Sequence, residues 1–265
     1  MLKVLLTVFT CAFTYTQNNF KCISLGEVCS TSAALQAFNL RNAAYPFDWT
    51  ISPLSGVSLA LFEDFQEYLN PKYFKIRGDK HGVINKYGIT FVHDFPTINY
   101  TGNNIEQEDL INENILLSSW LGSLPQIQDK YFRRIRRFLE DCNSKDKIFF
   151  FRHFSATKNA AIKLRDLIEI KYPNLQFTLV IVGNKPDEYI KPWHERKIKN
   201  YYLNDTLVWN DVKEWNKIFT DLGLIQKTKS FNLNLIDYTK HLCGHCYYCK
   251  KNISETETIL FKING

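Results

Sequence analysis

This 265-residue chain is short of several things, and each shortage excludes a class of protein. It has a single methionine, so core filling falls to its 20 Phe and 14 Tyr. It shows no internal repeat and no low-complexity segment, which excludes solenoid and propeller arrays. It lacks a concentrated basic stripe. Lys+Arg total 33 against Asp+Glu 27, a formal charge of +6 spread along the chain, so nothing argues for a nucleic-acid partner. It has no Gly-rich loop of the kind that cradles phosphate. No uncharged run is long enough to make a membrane-spanning segment. Hydrophobic residues make up 45% of the chain, which excludes global disorder and is enough for a packed core.

The N-terminus is read before any fold argument. Lys3 is followed by an uncharged run from Val4 to Tyr15 and by small residues at Thr14 and Thr16. This fits a signal peptide over residues 1–16 better than a first strand over residues 4–9. The mature chain would then be secreted or lumenal and without an integral membrane segment; without such a leader it would be cytoplasmic. Sequons at Asn99, Asn204 and Asn252 agree with a secreted glycoprotein.

The most informative stretch runs from Lys21 to Trp49. Cys22 to Leu25 reads as a buried strand closed by Gly26. A helix follows, with Glu27 in its first turn, apolar residues at Val28, Ala34, Leu35 and Phe38, and Asn39 at its C-terminal end. Cys29 then lies in the first turn, where unpaired N–H groups and the positive end of the helix dipole favour a thiolate. Glu27 acts in the opposite sense. The competing reading is a small buried cysteine at a strand–helix junction.

The wording of this stretch, Ser24-Leu25-Gly26 with Cys29 and then Pro46-Phe47-Asp48-Trp49, resembles a family of unknown function described as putative papain-like cysteine peptidases. A later strand ending in His93, within FVHDF, belongs to the same pattern. The resemblance implies a papain-like fold relation and a Cys29–His93 pair as nucleophile and base. Asp48 is the choice for the residue that orients the imidazole, because Asp94 follows His93 directly and adjacent strand side chains point to opposite faces. The substrate implied is a peptide or another acyl compound bearing an amide or ester, and no cofactor is called for.

The remaining chain reads as α/β, a central mostly parallel sheet flanked by helices, with a papain-like α+β arrangement as the variant. Leu59 to Tyr68 reads as a helix ended by Pro71. Tyr87 to Asp94 alternates, with Tyr87, Ile89, Phe91 and His93 on one face; a lone histidine there also fits a core role. Ile115 to Trp120 reads as a short helix. Gln126 to Cys142 reads as an amphipathic helix whose four arginines, Arg133, Arg134, Arg136 and Arg137, form a solvated face. Ile148 to Phe151 and Phe177 to Val182 read as buried parallel strands joined by a helix capped by Ser155, and Asp211 to Leu222 as a further helix. The chain reads as one domain over 17–265, with 99–113 as the place to divide two lobes if there are two. A second function class follows from this strand–helix–strand unit. Arg152, His153 and the Gly183-Asn184-Lys185 loop lie at the carboxyl ends of strands, where open sheets bind ligands, as a glycosyltransferase binds a nucleotide sugar. A third is a catalytically inactive secreted binding module.

The tail from His241 to Cys249 reads HLCGHCYYC. Cys243, Cys246, Cys249 and His245 could hold zinc, but in a secreted chain cysteines form disulfides. Of seven cysteines, Cys11 leaves with the signal peptide and Cys29 stays free, so five remain and one of them cannot pair internally. The disulfide reading predicts that chelators leave the melting temperature unchanged and reductants lower it. About one zinc per chain by elemental analysis would overturn that reading, and the secretion it rests on.

Overall fold

The structure, a computed structural model, describes residues 20–98, 115–154, 156–203 and 212–226. The expected leader, the region 99–113, Ser155, the three sequons and the cysteine-rich tail lie outside the described residues.

The chain order is β1 (Phe20–Ser24), α1 (Ser30–Ala37), β2 (Thr50–Ile51), α2 (Leu54–Phe62), β3 (Lys75–Ile76), β4 (Val83–Ile84), β5 (Thr90–Phe91) and β6 (Thr97–Ile98). It continues with β7 (Ile115–Leu116), α3 (Leu124–Cys142), β8 (Lys147–His153), α4 (Lys158–Lys171), β9 (Phe177–Gly183), α5 (Pro186–Tyr189), β10 (Ile198–Tyr202) and α6 (Val212–Asp221). Four strands form one all-parallel sheet in the order β1-β8-β9-β10. A second, antiparallel sheet of very short strands runs β2-β5-β4-β3. The fold is α/β, as the continuous apolar runs of β8 and β9 require, since a strand covered on both faces carries no polar side.

Strand alternation divides the core in two. Ile148 and Phe150 of β8, with Ile23 of β1 and Leu179 and Ile181 of β9, pack against Tyr131, Ile135 and Phe138 of α3 and Ala161, Leu164 and Ile168 of α4. Phe149 and Phe151, with Cys22, Val180 and Val182, face Ala34 and Leu35 of α1 and Trp215 and Phe219 of α6. The result is three layers, helix, sheet and helix.

Several local expectations are corrected. The helix placed at Leu59–Tyr68 is α2, which starts at Leu54 after an extended Pro53 and ends at Phe62. Asp64 and Phe65 turn into positive φ (52° and 59°), so Phe65 is buried from a turn while Phe62 is 67% exposed. Ile115–Trp120 is not a helix: Ile115–Leu116 pair with β6 and a 3₁₀ turn covers Trp120–Ser123. The Tyr87–Asp94 strand is regular only at Thr90–Phe91. The cap of α4 is Thr157, whose Oγ1 accepts from the Ala160 N–H at 3.3 Å. α1 begins at Ser30, so Glu27 precedes the helix instead of lying in its first turn.

The last correction has its cause where the two sheets meet. The Ser52 N–H, just after β2, donates to the Glu27 carbonyl at 2.8 Å, holding residue 27 out of the helix. Gly26 adopts φ +81°, and a Cβ there would lie 1.8 Å from Ser52 Oγ. Only glycine permits both the conformation and the approach. Gly26→Ala is therefore expected to destabilise the protein by on the order of 2–4 kcal/mol, read as a lowered urea midpoint. Adding Ser52→Gly should return roughly half of that loss, because it removes the clash but not the backbone strain. An unchanged midpoint in Gly26→Ala would contradict the close approach.

Candidate active site

Cys29 sits at the N-cap of α1, and its carbonyl accepts the Ala33 N–H at 2.9 Å. The N–H groups of a first helical turn have no helical acceptor, so they and the helix dipole present positive potential at this point. His93 follows β5, past the buried Ile89 and Phe91. The two residues, 64 positions apart in sequence, converge: Cys29 Sγ lies 3.4 Å from His93 Nε2. That separation permits direct proton transfer between thiol and imidazole. Cys29 is 3% exposed.

Each partner is held from outside the pair. On the His93 side, the neighbouring Asp94 accepts from Lys130 Nζ at 2.5 Å and from the Tyr131 hydroxyl at 2.8 Å, both on α3. Asp94 is thus engaged by α3. On the Cys29 side the anchor is Arg152, 0% exposed at the end of β8. Its Nη1 donates to the Leu25 carbonyl at 3.0 Å and to the Ser52 carbonyl at 2.9 Å, while its Nη2 donates to Glu27 Oε2 at 3.1 Å. Burial pulls its pKa down to about 10 and the nearby Glu27 holds it up, so the guanidinium stays charged at neutral pH. This cation offsets the carboxylate that the sequence reading set against a Cys29 thiolate.

Asp48 is buried but makes no hydrogen bond to His93. Its Oδ1 accepts from Ser32 Oγ at 2.9 Å, and its Oδ2 from Arg41 Nε at 3.0 Å and the Tyr45 N–H at 2.9 Å. It ties α1 to the Pro46–Trp49 turn. Sequence proximity in the motif did not distinguish this anchoring from an orienting role.

Arg152 and His153, expected at a ligand-binding strand end, present no side chain to solvent. Both are fully buried, Arg152 on its carbonyls and Glu27, and His153 with Nδ1 2.8 Å from Ser30 Oγ. The residues that do face solvent at the carboxyl ends of β1, β8 and β9 line a cleft of about 640 Å³ between the two sheets. Val28, Phe154, Asn184 and Lys185 lie on one side of it, and Ile51 and Thr90 on the other. Val28, which precedes Cys29 in sequence, lines this cleft, as does Glu27, whereas Cys29 and His93 themselves do not. Its size suits a small ligand or a peptide segment. Among the described residues no three His, Cys, Asp or Glu side chains are grouped as a metal site needs. Among them, too, no helix is long and apolar enough to cross a membrane.

Residues 20–185 match the family described as "Putative papain-like cysteine peptidase". No curated protein and no solved structure matches the chain. The matched span opens with β1 and closes two residues after β9, taking in Cys29, His93 and Arg152. It covers more than half of the sequence, and the chain belongs to this papain-like cysteine peptidase family.

Proposed function

We propose that the protein is a cysteine hydrolase in which Cys29 attacks a carbonyl carbon and His93 handles the proton. The observation that carries this reading is the 3.4 Å approach of Cys29 Sγ to His93 Nε2 at a helix N-terminus. The thiol proton passes to His93 Nε2 and the sulfur forms a bond to the carbonyl carbon. The oxyanion that develops is stabilised by N–H groups of the first turn of α1. As the tetrahedral species collapses, the bond to the amine or alcohol breaks and His93 returns the proton to that leaving group. Water, deprotonated by His93, then cleaves the thioester and restores the thiol. The substrate class is an amide or ester whose acyl part enters the cleft beside Val28, with a peptide as the first case to test. Asp48 acts by holding α1 in place, not on the imidazole.

One observation favours a second reading, an inactive module that keeps the fold: Cys29 is 3% exposed. Alkylation with iodoacetamide separates the two, because it needs both an accessible sulfur and a thiolate. Cys22 and Cys142 are built-in controls, since burial pushes both thiols well above their ordinary pKa. At pH 7, Cys29 is expected to be modified much faster than either, as mapped by peptide mass spectrometry. His93→Ala should slow that modification about tenfold. Should Cys29 react no faster than Cys22 and Cys142 in the folded protein, the inactive module is the better account.

A further inference from the structure

Against Ser30, the residue after Cys29, lies a histidine that the chemistry above does not use. His153 is the last residue of β8 and is 0% exposed. It stacks on Phe154 with ring centroids 4.0 Å apart and meets the edge of Trp215 at 5.7 Å. Phe149, Phe151 and Phe219 make up the same layer. A leucine or phenylalanine would fill such a site without desolvating a polar ring. Nδ1 lies 2.8 Å from Ser30 Oγ, whereas Nε2 is buried with no hydrogen-bond partner among the described residues. A buried N–H without an acceptor is rarer and costlier than a buried lone pair without a donor. That places the proton on Nδ1, donated to Ser30 Oγ. Burial holds the imidazole pKa down to about 3, so the ring is neutral throughout the working range.

Ser30 is the first residue of α1 and follows Cys29 directly. At 2% exposed, it is closed to substrate, as is His153, so the pair is not a second nucleophile and base. Its position suggests another task. The loop before Cys29 is pinned on one face of the sheet by Arg152. On the opposite face the only side-chain hydrogen bond from the end of β8 to α1, among the described residues, is the one between His153 and Ser30. We propose that His153 is a positioning residue: through Ser30 it fixes the first turn of α1, and with it the Cys29 sulfur relative to His93 and the N–H groups that stabilise the thiolate.

This inference rests on Cys29 being the nucleophile, and the experiment keeps the two claims apart. The rate of Cys29 alkylation by iodoacetamide is measured against pH in the full chain and in Ser30→Ala, His153→Ala and His153→Asn. Ser30→Ala and His153→Ala are expected to slow alkylation at pH 7 about tenfold and to move the midpoint of the pH profile upward. His153→Asn, whose amide nitrogen takes the place of Nδ1, should recover most of the rate. A role confined to packing would lower the melting temperature of both His153 variants and leave the profile where it is, which would overturn the proposal. A Ser30→Ala profile superposed on the parent's would overturn it too, and that small substitution carries the test if His153→Ala does not fold. An unreactive Cys29 in the parent protein would remove the nucleophile and this inference together, whereas a reactive parent with an unaltered Ser30→Ala removes the inference alone.

Discussion

A guanidinium buried at the end of a parallel strand constrains everything around it. Arg152 cannot stay charged in the core without acceptors and a counter-charge, because an unpaired buried charge costs far more than the fold can supply; its two terminal nitrogens find them, while Nε has no partner among the described residues. The acceptors it finds are the carbonyls of Leu25 and Ser52 and the carboxylate of Glu27. One side chain therefore fastens the loop after β1 to the loop after β2 and joins the two sheets. The close passage of those loops leaves no room for a Cβ at residue 26, and Glu27 is drawn out of the helix to meet the cation. Cys29 begins α1 from a fixed point instead of a mobile turn.

This matters because α1 is only eight residues long. A helix so short has little stability of its own and takes its orientation from its contacts. Its apolar side lies on Phe149, Phe151 and Val180, its Ser32 donates to Asp48, and its first residue meets His153. The opposing half of the site is held comparably firmly. α3 reaches across to clamp Asp94, and the histidine before it is carried into place. The thiol and imidazole approach each other because two independently anchored segments end at one spot, so their geometry is set by the fold before any ligand binds.

Much of the fold could be read from residue order. The runs IFFF and FTLVIV announce strands covered on both faces, and the stripe Ile127, Tyr131, Ile135, Phe138 announces α3. Short elements were legible less well, for a physical reason. The strands of the second sheet are two residues each, too short for alternation to register, and α2 is set by Pro53 and by its packing against α4 more than by periodicity. The motif around Cys29 named a cysteine, a histidine and an aspartate without fixing which of them meet. Asp48 lies among Ser32, Arg41 and Tyr45, and nothing in sequence order separates a carboxylate that orients a histidine from one that ties a helix to a turn.

By itself the sequence determined the composition of the core, the long elements and the family. Those follow from local propensity, periodicity and motif spacing, which act along the chain. Tertiary structure alone decided what residues distant in sequence do to each other. It buried Arg152 and His153 where strand order had set them at a ligand site, and it turned Glu27 from an adverse charge into a neutralised one. It also brought a thiol and an imidazole 64 positions apart to within 3.4 Å. Contacts of that kind depend on which strand ends share an edge and which face each side chain takes, and these are settled only when the sheet is assembled.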